Sequence, residues 1–97
     1  MNRIEEIISK LGEVMPILEE KYKVQSLQIF GSYVRGEQGK DSDLDILVEF
    51  HEVIDLFEFL ELEEYLSEVL SVKVDLVMKE TLKPSIKDKI LAEAVPV

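Results

Sequence analysis

The segment Asp43 to Phe50 limits the possible folds of this chain more than any other stretch. Leu44, Ile46, Val48 and Phe50 fall on one side of a two-residue repeat, and Asp43 and Asp45 fall on the other. Side chains repeat every two residues in a strand and about every 3.6 in a helix, so this segment reads as a strand with one buried face. The opposite face then holds two carboxylates close together. Like charges at that spacing repel unless a cation lies between them, and oxygen-only donors suit Mg²⁺ or Mn²⁺ better than zinc.

Such a strand needs neighbours and a cover. Val24 to Phe30 reads as another strand, with Leu27 and Ile29 on one face, ended by Gly31 and Ser32. Val72 to Met78 reads as a third, with Val72, Val74, Leu76 and Met78 pointing one way and Lys73, Asp75 and Val77 the other. Three helices supply the cover. In the first, Ile4, Ile7, Ile8, Leu11, Val14, Met15 and Leu18 recur at helical spacing. Asn2 and Glu5 form a plausible helix-start pair, and Gly12 and Pro16 weaken the helix, with Pro16 expected to kink or split it. In the second, Asp55 with Glu58 marks a start, and Leu56, Phe59, Leu60, Leu66, Val69 and Leu70 are expected to be buried. In the last, Pro84 suits the first turn, and Ile86, Ile90, Leu91 and Ala94 form an apolar stripe. Ser32 to Arg35 allows about one helical turn, and polar Glu37 to Ser42 reads as a loop. The expected fold class is α+β: a small mixed sheet, helices packed on one face, carboxylates on the other. At 97 residues this is expected to be one domain over residues 1–97.

Charge narrows the partners. Twenty-one acidic residues against eleven basic ones give a net charge of −10. Binding to nucleic acid relies on Lys and Arg displacing counterions, so direct binding to free DNA or RNA is not expected. A compact phosphate ligand or a basic protein partner fits better. The chain has no cysteine, which excludes thiol chemistry and cysteine-based zinc sites and fits a cytoplasmic protein. No apolar run approaches the ~20 residues of a membrane span. Glu5 and Glu6 stand where a secretion signal would be apolar.

If the strands carrying Asp43, Asp45 and Asp75 are neighbours, the three carboxylates converge, as two-metal phosphoryl chemistry requires. Gly31 and Ser32 lie at a strand-to-helix junction, where backbone N–H groups and a hydroxyl can hold phosphate, and Arg35 lies one turn further on. Each feature also has an ordinary reading. Alternating acids decorate many solvated strands, and a Gly-Ser junction is often a plain tight turn.

Taken together, Phe30-Gly31-Ser32-Tyr33-Val34-Arg35-Gly36 and Asp41-Ser42-Asp43-Leu44-Asp45-Ile46-Leu47-Val48 resemble the minimal nucleotidyltransferase (MNT) family of the DNA polymerase β-like superfamily. Ten residues, Tyr33 to Ser42, separate Gly-Ser from Asp-x-Asp. Val74-Asp75-Leu76-Val77 is similar to the strand carrying that family's third carboxylate, and Ile90 to Val97 also looks like family members' ends. The resemblance implies that Asp43 and Asp45 bind Mg²⁺ and the phosphates of an NTP, with ATP the expected substrate. It implies that Asp75 completes a second metal site, and that Gly31 and Ser32, with Arg35 as a helper, hold the β- and γ-phosphates. Small members resemble antitoxins paired with a HEPN-domain ribonuclease toxin, which they inactivate by adding AMP to a tyrosine. Alternatives are a non-catalytic partner-binding module and nucleotidyl transfer to a small molecule. A receiver-type phosphoacceptor would need five strand–helix units, more than this chain holds. His51, Tyr22, Tyr33 and Tyr65 are expected to be structural. Glu61, Glu63, Glu64 and Glu68 are expected to form a solvated helix face, and Lys73 is placed to balance charge near Asp75.

Overall fold

The computed structural model describes residues 3–97. In chain order it runs α1 (Arg3–Lys21), β1 (Val24–Phe30), α2 (Ser32–Arg35), β2 (Leu44–Phe50), α3 (Leu56–Leu70) and β3 (Val74–Met78). A 3-10 turn at Lys79–Thr81 follows, then α4 (Pro84–Glu93) and β4 (Val95–Pro96). Asn2, read as part of the first helix start, lies outside the described residues.

The four strands form one mixed sheet in the order β3-β2-β1-β4. β1 pairs antiparallel with both β2 and β4, and β2 pairs parallel with β3. Helix α3 makes the crossover that a parallel pair requires. β4 was not legible as a strand. It has two residues, one of them Pro96, which cannot donate a backbone hydrogen bond and is tolerated only at a sheet margin.

The core lies between the sheet and helices α1 and α3. Ile7, Leu11 and Leu18 enter it from α1, and Leu62, Leu66 and Leu70 from α3. They meet Val24, Leu27, Ile29, Leu44, Ile46, Val48, Val74 and Leu76 of the sheet, and Ile4, Ile8, Val14 and Met15 pack around them. The register of β1 slips between Val24 and Ser26, so Val24 and Leu27 are both buried although they are three residues apart. Leu47 is buried too, on the Asp45 side of β2 and outside this cluster.

Several expectations need correcting. α1 is not split at Pro16 but continues to Lys21. The carbonyl that loses its partner, and that the proline ring crowds, belongs to Gly12, whose backbone yields most easily. On α3, Leu56 and Leu60 are 67% and 48% exposed, and Leu62 is buried instead. Apolar residues cover so much of this helix that periodicity alone left its inward face open; the line Leu62, Leu66, Leu70 takes it. The capping box of Asp55 and Glu58 is present as read. On α4, Ile86 is exposed and Ala94 is the C-cap residue. β3 starts at Val74, because Ser71 is left-handed (φ 53°) and the chain is still turning at Val72. Glu63 is not merely solvated. Its carboxylate accepts the Leu76 N–H at 2.9 Å, while Ser67 Oγ accepts the Val74 N–H at 3.0 Å. No helix among the described residues is long and apolar enough to cross a membrane.

Candidate active site

The parallel pairing of β2 and β3 decides whether the aspartates meet. Its register sets Asp45 directly beside Asp75, with Leu44 beside Val74 and Ile46 beside Leu76. The two apolar pairs face the core, so Asp45 and Asp75 share the opposite face, on strands about 4.8 Å apart. Asp43 precedes β2 by one residue and falls on the same side by alternation. Lys73 Nζ stands 4.0 Å from Asp43 Oδ2, with the Lys73 side chain largely in solvent and that of Asp43 partly so. That ion pair supplies the only charge balance expected of Lys73, and it is a loose one.

Asp45 is half-buried and Asp75 exposed. The Asp45 carboxyl is pushed above its usual range, first by burial, then by the charges of Asp75 and Asp43, with Arg35 offsetting a part. A site whose inner carboxylate resists ionisation is short of positive charge. Among the described residues, no three or more His, Cys, Asp or Glu side chains are closed into a metal cage. The Asp45 carboxyl is close enough to that of Asp75 to share a hydrogen bond, and the donor set itself, carboxylate oxygens on one face, fits a hard divalent cation.

The turn after β1 is built around Asp45. Phe30, the last residue of β1, is the cross-strand partner of Asp45 on the side away from Asp75. Gly31 follows with φ 81° and ψ −153°, a conformation essentially confined to glycine. A Cβ built at Gly31 would overlap Asp45 Oδ2 and lie 3.1 Å from Asp45 Cγ. The glycine is therefore needed twice, for its backbone angle and for the carboxylate packed against it. Its carbonyl accepts the N–H groups of Val34 and Arg35, which starts α2 at half-buried Ser32.

Glu93, which is not among the expected site residues, holds this turn. Its Oε1 accepts the Gly31 N–H at 2.9 Å, and both its oxygens accept from Arg35 Nη1 at 3.1 Å. Arg35 Nε donates to Glu37 Oε2 at 2.9 Å. The Gly31 N–H, and after it the Arg35 guanidinium, holds the Glu93 carboxyl below its usual range. Arg35 is raised in turn, chiefly by its bonds to Glu37 and Glu93. The arginine read as a phosphate helper is thus already shared between two carboxylates. β4 places Glu93 here: Val95 pairs with Ile29, and the Val97 N–H bonds the Leu27 carbonyl at 3.1 Å. A signal for Glu93 existed. An acidic residue in the last turn of a helix opposes the helix dipole, so its reason for being there lies elsewhere.

The remaining expectations are structural. His51 is exposed, with Nε2 3.1 Å from the Glu19 carbonyl. Tyr22 and Tyr65 stack at 5.4 Å, and Tyr33 is buried.

Comparison with known proteins adds the chemistry. The family model described as a nucleotidyltransferase domain matches residues 11–97. The chain is 50% identical over 95 residues to the protein adenylyltransferase MntA of Thermococcus cleftensis, covering 98% of this chain and 96% of that one. Among solved structures, one described as a candidate minimal nucleotidyltransferase superposes with a TM-score of 0.83 at 33% identity, covering 100% of this chain and 97% of that one. A chain from a toxin–antitoxin complex with AMP-PNP gives a TM-score of 0.69 at 28% identity, covering 99% of this chain and 72% of its own.

Proposed function

The chain belongs to the nucleotidyltransferase domain family, and from that premise we propose that it is a protein adenylyltransferase acting as an antitoxin. It moves AMP from ATP to a tyrosine hydroxyl of a partner HEPN ribonuclease toxin in the cytoplasm and so neutralises it. The observation that carries this reading is the register of β2 and β3, which sets Asp45 against Asp75, with Asp43 on the same face and the Gly31 turn packed onto Asp45. The relative from Thermococcus cleftensis and the AMP-PNP-bound toxin–antitoxin complex support the nucleotide and the class of acceptor.

In the transfer, the tyrosine oxygen attacks the α-phosphorus of ATP. The bond from that phosphorus to the bridging oxygen breaks, and pyrophosphate leaves. Asp43 and Asp45 are the residues that would hold a divalent cation, Mg²⁺ or Mn²⁺, with Asp75 completing the set. Such a cation supplies neutralisation of the triphosphate and of the developing charge. Asp75, the most solvent-accessible of the three, stands where an incoming hydroxyl can reach it and takes its proton. Gly31 and Ser32 would line the approach of the β- and γ-phosphates, and Arg35, bonded through Nε to Glu37 and through Nη1 to Glu93, would offer them only what those bonds leave free.

Co-expression with the toxin tests this. The wild type should restore growth, and intact-mass analysis should show added AMP on the toxin. The Asp43→Asn, Asp45→Asn double variant should do neither. Full protection by the double variant, with no adduct, would replace catalysis by simple binding.

A further inference from the structure

Six large apolar residues are exposed among the described residues, and four of them fall within one stretch of eight: Val53 at 99%, Leu56 at 67%, Phe57 at 82% and Leu60 at 48%. Exposed apolar side chains scattered singly are normal, but a group of this kind marks a contact surface. Leu56, Phe57 and Leu60 follow helical spacing along the first turns of α3, with Val53 in the lead-in, so they form one stripe. A cavity of about 390 Å³ opens beside them, lined by residues including Ile54, Leu56, Phe59, Leu76 and Met78. Another of about 300 Å³ adjoins Val53 and His51. The stripe lies on α3, across the sheet from the aspartates, and the larger cavity opens at the β3 margin, where Leu76 and Met78 line it one and three residues beyond Asp75.

The surroundings say what can cover the stripe. Residues 52–64 contain six carboxylates and no Lys or Arg. A second copy of this chain would bring two such acidic rims together. A protein with an apolar projection ringed by Lys and Arg would instead satisfy both the stripe and its rim. We propose that Val53, Leu56, Phe57 and Leu60, with the adjacent cavities, form the anchor on which the acceptor protein docks, through an apolar segment flanked by basic residues. This rests on the adenylyltransferase reading for the identity of the acceptor. A partner seated there reaches the aspartates around the β3 margin, and one ordinary interface covers about 800 Å² on each partner. The anchor thus gives affinity, and the aspartates act on whichever hydroxyl the bound partner presents.

All four residues are exposed, so their substitution spares the core. The test compares wild type, a Leu56→Ser, Phe57→Ser double variant and a Glu61→Lys, Glu64→Lys double variant at two exposed carboxylates, using the toxin from the co-expression experiment as probe. Calorimetry gives the affinity for the toxin and for Mg–ATP, and label transfer gives the dependence of rate on toxin concentration. The apolar variant should weaken toxin binding at least 100-fold and raise the half-saturating toxin concentration to match. Its Mg–ATP affinity and its rate at saturating toxin should stay at the wild-type level. The charge variant should weaken binding about 10-fold, and most of that loss should vanish in high salt. Unchanged toxin binding in the apolar variant would overturn the proposal. So would a wild-type dimer that this variant dissolves, because the occupant would then be a second copy, and so would failure of the wild type to bind the toxin. If the wild type binds and the apolar variant does not, but no AMP is transferred, the docking surface stands and the transfer reading falls.

Discussion

Replacing Gly31 with alanine should damage activity far more than stability, and the structure supplies both magnitudes. The φ of 81° with ψ −153° is strained for any residue with a Cβ, at a cost of about 1–3 kcal/mol. Taking ~2 kcal/mol, a domain of this size loses roughly 8–16 °C in Tm. The added methyl also overlaps the Asp45 carboxylate, which is only half-buried and can swing aside. The clash is therefore relieved at the site and not in the core. Shifting a metal-holding carboxylate by about 1 Å should lower AMP transfer by about 10²-fold. Gly36 is the matched control. It too has a positive φ, 70°, but a Cβ there meets nothing within 4 Å. Gly36→Ala should cost about 1–2 kcal/mol and leave transfer unchanged once the protein is folded. Thermal melts followed by transfer assays well below both midpoints separate the two effects. If folded Gly31→Ala transfers AMP as well as Gly36→Ala, Asp45 has no need of this close approach and the site geometry argued above is wrong.

Further tests follow from the charges. The Asp45 pKa is raised in the folded state, so the stability linked to its proton is present at low pH and is lost as pH rises through that folded value. At pH 7 without metal, Asp45→Asn should melt higher than the wild type, and added Mg²⁺ should stabilise the wild type but not the variant; a lower melting point for the variant would count against like-charge strain. Glu93 has the opposite sign: its lowered pKa gives stability above its unfolded value that is lost as pH falls through the folded one, so Glu93→Gln should flatten the acid side of the stability curve. In steady-state assays Glu93→Ala should raise KM for ATP about 10-fold, with Glu93→Gln intermediate because its amide oxygen still accepts the Gly31 N–H; an unchanged KM would limit Glu93 to a structural tie. Asp75→Asn should slow transfer by about 10²-fold or more while changing Mg–ATP affinity little, and an unchanged rate would remove Asp75 from the chemistry.

The parts of this fold that repeat were legible, and the parts fixed by distant contacts were not. Alternation placed β2 and put Asp43 and Asp45 on one face, and the Asp55–Glu58 pair fixed the start of α3. Proximity of Asp75 had to be supposed, because strand order is not written in any one strand; the register of β2 and β3 supplies it. Glu93 lies 62 residues from the glycine it holds, and its place in the last turn of a helix marks it as unusual without identifying that partner. The inward face of α3 failed for a different reason. Leu56 and Leu60 are as apolar as Leu62 and Leu66, so composition could not tell a core face from a contact face.

The bonds from Ser67 and Glu63 to β3 have a consequence for how the protein behaves in bulk. The Val74 and Leu76 N–H groups would otherwise be an open row of donors on a terminal strand, ready to template another chain. Side chains from the molecule's own helix already occupy them. At the other margin, β4 is two residues long and ends in proline, which gives an incoming strand almost nothing to copy. Neither side of the sheet invites polymer growth. A chain that displays Phe57 and Leu56 to solvent can therefore be crowded without its exposed apolar surface being extended, strand by strand, into fibrils.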